Sequence, residues 1–291
     1  MSPLAQALQF AISGLINGSI YAIVALGFTI IYNATGIINF AQGEFVMLGA
    51  MLMVTLTTAV ALPAPVAFPI AVAGVVVIGC VVERLAIRPV RERSIIPLVT
   101  ITIGASIVLR GAALLVWGTD YRALKPFSDS PPFFLGEAML LPQGVWVLAV
   151  TIVVVVLLQI FYQCTLVGKA MRASAINRNA SRLVGVAADR MVLGAFALSA
   201  GLGAVAGVII APISGAAFDM GVMLGLKGFA AAILGGLGSS AGGILGGVAL
   251  GLLESLGAGY VSSAYKDALA FSILLLVLLV RPAGRLGRLR N

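Results

Sequence analysis

Residues Gly228–Leu252, GFAAAILGGLGSSAGGILGGVALGL, decide how this chain is laid out. Read as one continuous helix, the stretch crosses a bilayer once; read as two helices broken near Gly238-Ser239-Ser240, it crosses twice. The charge pattern chooses between them. Arg84, Arg88, Arg91 and Arg93 form one basic cluster. Lys169, Arg172, Arg178, Arg182 and Arg190 form a second, within Gly168–Arg190, GKAMRASAINRNASRLVGVAADR. Arg281, Arg285, Arg288 and Arg290 end the chain. Together they hold 13 of the 18 basic residues, so all three clusters belong on the cytoplasmic side. An even number of crossings must then separate Arg190 from Arg281. One helix over 228–252 gives three crossings and two helices give four, so the reading with a break is the consistent one.

Working outward from that break, apolar runs predict helices at roughly 8–32, 37–60, 64–87, 95–117, 144–163, 191–212, 220–236, 241–258 and 265–281. The fold class is an all-α, polytopic transmembrane helical bundle of about nine spans (eight to ten, if one segment is re-entrant), with the N-terminus outside and the C-terminus inside. A single transmembrane domain over 1–291 is expected. Composition agrees: 61% of residues are hydrophobic, only 10% are charged, and the mean hydropathy is +1.14. Soluble domains carry about a quarter charged residues.

The same composition excludes several functions. Histidine is absent, which removes imidazole from metal binding and proton transfer. Cys80 and Cys164 lie far apart and suggest neither a disulfide framework nor a zinc site, so no metal is expected. The net charge of +8 follows topology, so no nucleic-acid partner is expected. The glycine-rich Gly235–Gly243 lacks the Lys-Ser/Thr of a phosphate-binding loop, so ATP is not hydrolysed by that route here.

The 168–190 segment is long for a connector. It reads as two short helices, about 168–176 and 180–187, meeting at Asn177-Arg178. Such an elbow suits a groove on a soluble partner, with Arg172, Arg178 and Arg182 offering charge-assisted contacts. The plainer reading is a positive anchor that fixes topology. The loop 118–143, expected on the outside, is either a docking surface or a simple connector.

Glycine recurs at four-residue spacing, at Gly14/Gly18, Gly203/Gly207, Gly238/Gly242/Gly246 and Gly243/Gly247/Gly251. That spacing lets helix backbones approach closely in lipid. Few polar groups stand at membrane depth, where each charge is costly. Asn17, Asn39, Gln42 and Glu44 read either as a polar translocation path or as hydrogen bonds that hold the bundle. Arg110, within the fourth span, reads either as part of that path or as a residue that snorkels to the outer interface. Asp219, Lys227, Glu254, Lys266 and Asp267 fall near outer helix ends, where most are expected to be solvated. Asn33-Ala34-Thr35-Gly36 reads as a turn with Gly36 at a helix end, or as part of a broken helix lining a cavity.

Four stretches carry a resemblance. NGSIYAIVALGFTIIYNATGIINFAQGEF (Asn17–Phe45), APISG (Ala211–Gly215), MGVMLGLKGFAAAILGGLGSSAGGILGG (Met220–Gly247) and LLESLGAGYVSSAYKDALAF (Leu252–Phe271) resemble permease subunits of branched-chain amino acid ABC importers, specifically the shorter of two homologous permeases. The resemblance implies a heterodimer with a second permease in the bacterial inner membrane. It also implies two cytoplasmic ATPase subunits that hold ATP and magnesium, and a periplasmic binding protein delivering leucine, isoleucine or valine. It casts 168–190 as the coupling loop, with Gly168, Arg172, Ala175, Asn177, Arg178 and Arg182 facing the ATPase. The chain itself would bind no cofactor and catalyse no reaction. Similar permeases serve urea and short amides. A self-sufficient channel or ion-coupled carrier would leave the 168–190 segment unexplained.

Overall fold

A computed structural model describes residues 2–90, 95–260, 262–263 and 266–280. Arg91, Arg93 and the terminal arginines Arg281, Arg285, Arg288 and Arg290 lie outside the described residues. The chain folds as a helical bundle. Six of its helices are long and apolar enough to cross a membrane: α1 (Pro3–Thr35), α3 (Ala64–Val82, continued to Val90 by a π turn and a 3-10 turn), α4 (Ile95–Trp117), α5 (Pro142–Cys164), α8 (Ala188–Ser214) and α10 (Ser240–Tyr260). Three shorter apolar helices are α2 (Gln42–Thr58), α9 (Met220–Gly235) and α11 (Lys266–Val280). Two short polar ones are α6 (Leu166–Ile176) and α7 (Arg178–Leu183).

The break inside Gly228–Leu252 is present: α9 stops at Gly235 and α10 starts at Ser240. Gly236 and Gly238 take φ of 88° and 96°, a backbone region open to glycine at little cost. Gly238 therefore lies in the turn, and its place in a helical glycine series is corrected. Its carbonyl accepts a hydrogen bond from Asn33 Nδ2 (3.0 Å), which fixes the turn against the end of α1. Gly36 ends α1 with φ of 75°, its N–H donating to the Tyr32 carbonyl (2.7 Å).

α2 begins five residues later than the expected 37–60. Residues 37–41 are not helical; they run back along α1, with Ile37, Asn39 and Ala41 buried. Gln42 then reaches the level of Gly27, about 12 Å back along α1 from Thr35. Two amides of this stretch are bonded by side chains: Ala41 N–H donates to Asn39 Oδ1 (3.2 Å) and Phe40 N–H to Thr102 Oγ1 on α4 (3.3 Å). Non-helical chain at membrane depth is tolerated where protein buries it, as here.

Burial separates core from periphery. The apolar windows of α1 and α8 are 83% and 72% buried, against 28%, 11% and 17% for α3, α4 and α5, which face outward. Glycine allows the centre to close. Gly14 and Gly18 of α1 lie on Gly251 and Gly247 of α10, backbone against backbone. Gly242 and Gly246 of α10 do the same against Gly235 and Ala231 of α9. Gly243 faces Ala25 and Thr29 at ordinary contact distance. A side chain at most of these positions would meet main chain, which cannot rotate away.

The two ends of the bundle differ. One carries Arg84, Arg88 and the α6–α7 segment beside the end of α1, joined by an apolar cluster of Ile31, Ile37, Val82, Ile87, Val192 and Phe196. The other carries the loop 118–141, which contains a small antiparallel hairpin, β1 (Phe133–Leu135) and β2 (Ala138–Leu140), not foreseen in the all-α reading. Ser2 N–H donates to Glu137 Oε2 (2.8 Å), and Gln9 exchanges two hydrogen bonds with the Met139 backbone, so the start of α1 is clasped to this hairpin.

Candidate functional site

The α6–α7 elbow is built by capping. Thr165 Oγ1 accepts the Gly168 N–H (2.9 Å) and starts α6; Asn177 Oδ1 accepts the Ala180 N–H (3.0 Å) and starts α7. Asn177 is the only residue between the two helices, so the bend lies where the sequence placed it. α7 ends at Leu183, short of the expected 187, because Gly185 adopts φ of 86° and turns the chain into α8. Gly168 packs against the Phe161 and Tyr162 backbone at the end of α5, and Met171 is buried in the bundle core. These two residues seat α6 on the bundle, while Ala175 and Asn177 face solvent. Arg172 and Ala175 line a cleft of about 420 Å³ between α6 and helices α1, α5 and α10.

Two of the arginines assigned to an outside partner are also held internally. Arg178 Nη2 lies 3.1 Å, and Arg182 Nη2 3.4 Å, from Asp189 Oδ1 at the start of α8. Their side chains remain 32% and 47% exposed, so the pairs brace the elbow while leaving charge on its surface. What the charge-based reading missed is apolar: Ile176, Leu183 and Val184 are 88%, 89% and 79% exposed at the elbow. Exposed apolar residues rimmed by arginine have the composition of a protein interface. The signal was available in the sequence as three aliphatic residues within a polar segment.

The polar residues near the start of α2 are tied into the bundle. Gln42 is fully buried and bonded at both ends of its amide: Nε2 donates to the Ser199 carbonyl (3.1 Å), and Oε1 pairs with Ser199 Oγ, which also reaches the Gly27 carbonyl (2.9 Å). This joins α2, α8 and α1. Glu44 Oε1 accepts from Ser106 Oγ (2.8 Å) on α4, while its Oε2 and the Asn39 amide nitrogen are buried with no hydrogen-bond partner among the described residues. Arg110, one turn along α4 from Ser106, is close enough to interact electrostatically with Glu44. Asn17 stands apart, about 15 Å along α1 from Gly27, where Gln42 packs. Asn17 therefore makes no part of the Gln42 network.

The expectation of solvated charges at outer helix ends fails for Lys227 and Glu254. Both are buried, with Lys227 Nζ 2.9 Å from Glu254 Oε1. Position in the run was a readable signal: each lies about 9–10 Å inside its helix, α9 or α10. The pairing of α9 with α10 was not readable. Among the described residues no group of three or more metal-ligating side chains occurs.

Comparisons with known proteins fit this geometry. Residues 10–278 match the family described as branched-chain amino acid transport system / permease component. The high-affinity branched-chain amino acid transport system permease protein LivH of Salmonella typhimurium is 35% identical over 97% of this chain and 96% of its own length. The protein BraD of Pseudomonas aeruginosa, with the same description, is 35% identical over the same shares. A probable LivH of Methanocaldococcus jannaschii is 25% identical over 94% of this chain and 90% of its own. Among solved structures, PsaBC from Streptococcus pneumoniae in complex with Fab aligns at a TM-score of 0.51 and 14% identity, covering 96% of this chain and 94% of that one, a likeness of fold. With residues 10–278 matching the family, the chain belongs to the branched-chain amino acid transport system permease family.

Proposed function

We propose that this chain is the shorter of two homologous permease subunits of an ATP-driven importer that moves leucine, isoleucine and valine into the cytoplasm by alternating access. The relatives' names support the cargo and the subunit type. In this reading the bundle makes nine spans in a bacterial inner membrane, N-terminus out and C-terminus in, with the arginine-rich end cytoplasmic. A second permease completes the pathway, two ATPases carry ATP and magnesium, and a periplasmic binding protein delivers the amino acid. This chain supplies path and leverage and makes or breaks no bond.

The observation that carries the proposal is the elbow: two capped helices presenting Ile176, Leu183 and Val184 among arginines, seated on the bundle through Gly168 and Met171. Closure of the ATPase pair upon ATP would move α6–α7 as a rigid lever and tilt the helices it rests on.

The test uses vesicles holding the full complex and radiolabelled leucine. Wild type is expected to accumulate leucine only with ATP and binding protein. Leu183→Glu is expected to reduce uptake to background while the ATPases no longer copurify with the permeases. Uptake without ATPase, or an unchanged Leu183→Glu complex, would sink the proposal.

A further inference from the structure

Four ionisable side chains from three helices meet near the end of the bundle that carries the hairpin. Lys227 of α9 and Glu254 of α10 form the inner pair, 9% and 0% exposed. Lys266 and Asp267, consecutive in the first turn of α11, form the outer half. Asp267 Oδ1 lies 2.6 Å from Lys227 Nζ, and Lys266 Nζ lies 3.1 Å from Glu254 Oε1. The outer side chains are 51% and 39% exposed. The cluster sits below the outer end, since Gly259 and Tyr260 of α10 pack on Phe10 near the start of α1.

The outer pair thus presents a carboxylate to Lys227 and an ammonium to Glu254, side by side from two adjacent residues. A free α-amino acid carries the same two groups on one carbon. It would place its carboxylate on Lys227 and its ammonium on Glu254, reproducing each contact that α11 now makes. Glu254 Oε2 is buried without a hydrogen-bond partner among the described residues, and the Tyr21 side chain lies within interaction range of the same carboxylate. The Tyr21 ring, 5.7 Å from Lys227 Nζ, backs the site.

Stability alone is a poor reason for such a cluster. Buried ion pairs lose much of their attraction to desolvation, and apolar replacements are often neutral or better. Ionisable groups inside a membrane protein mark substrate pathways by default. We infer that Lys227 and Glu254 form a binding site for the zwitterionic head of an amino acid, and that Lys266-Asp267 occupies it as an internal stand-in until substrate displaces the first turn of α11. This rests on the importer reading and names how its cargo is recognised within the permease.

The experiment measures tritiated leucine binding to the purified permease–ATPase complex in nanodiscs, without binding protein. Lys266→Gln/Asp267→Asn, which empties the outer half, is expected to bind leucine about tenfold more tightly than wild type. Adding Lys227→Gln in that background is expected to abolish the gain. Leucinamide and isocaproate, each lacking one charge, are expected not to compete. Should the double variant fail to assemble, Asp267→Asn alone keeps Lys266 on Glu254 and is expected to show the gain for the carboxylate half. Unchanged affinity in an assembled variant, or a gain that survives Lys227→Gln, overturns the inference. ATP-dependent leucine uptake by wild-type vesicles, measured in parallel, separates the two failures: its absence sinks the importer reading, and its presence with unchanged affinity sinks only the zwitterion site.

Discussion

Gly43 of α2 and Gly221 of α9 cross with no side chain between them: a Cβ on either would fall against the other's carbonyl group. The crossing lies one residue from Glu44 and at the inner end of the non-helical stretch 37–41, so it fixes where α2 begins. Gly43→Ala is expected to lower stability by about 1–3 kcal/mol, because main chain must move to admit the methyl group. Gly111→Ala on α4 is the control, since a Cβ there meets open space. Thermal unfolding in detergent, followed by size-exclusion chromatography, reads both; equal melting temperatures for the two variants would contradict the crossing.

Asn177 holds the start of α7 through the Ala180 N–H. Asn177→Ala is expected to weaken α7 by about 0.5–2 kcal/mol, with little effect on the bundle. Hydrogen exchange should quicken at Ala180 and Ser181 and stay unchanged in α8. Under the proposed function, less leucine should also move per ATP hydrolysed, because a softened lever transmits less motion. Unaltered exchange at these two amides would mean the cap contributes nothing.

Gln42 welds three helices, whereas Asn17 touches none of that network. Gln42→Ala is expected to cost about 1–3 kcal/mol by removing the amide that donates to the Ser199 carbonyl and pairs with the Ser199 hydroxyl. Asn17→Ala should change stability by less than about 0.5 kcal/mol. A Gln42→Ala protein that melts with wild type would show that these bonds add no stability.

Ser106 gives Glu44 its hydrogen bond. Ser106→Ala leaves a buried carboxylate with neither oxygen bonded among the described residues, so it should destabilise more than Ser106→Ala/Glu44→Gln, where the charge is gone too. A double-mutant cycle on melting free energy measures the coupling. Additive single effects would show that the contact carries no energy.

What could be read from the sequence depended on whether the determining force was local. The turn at 236–239 was legible because glycine and topological parity both marked it, and the Asn177 elbow because a capping residue sits between helix-forming runs. The start of α2 was not, because residues 37–41 are as apolar as a helix and differ only in how α1 and Thr102 engage their backbone. The burial of Lys227 and Glu254 was hidden for a related reason. Their distance from the helix ends hinted at it, but the partner of each lies on another helix, and helix pairing is a property of the whole bundle. The apolar tip of the elbow was outvoted by its more conspicuous arginines.

The glycine seam between α1 and α10 limits how the molecule can change shape. Where side chains interdigitate, helices slide by exchanging rotamers; where Gly14 and Gly18 lie on Gly251 and Gly247, there are no rotamers to exchange. The first and tenth helices are thereby joined into a single strut, a keel that must travel whole. Any rocking that exposes one face of the bundle and then the other has its pivot elsewhere, at joints such as the 37–41 stretch and the α9–α10 turn, with the keel as the fixed frame of reference.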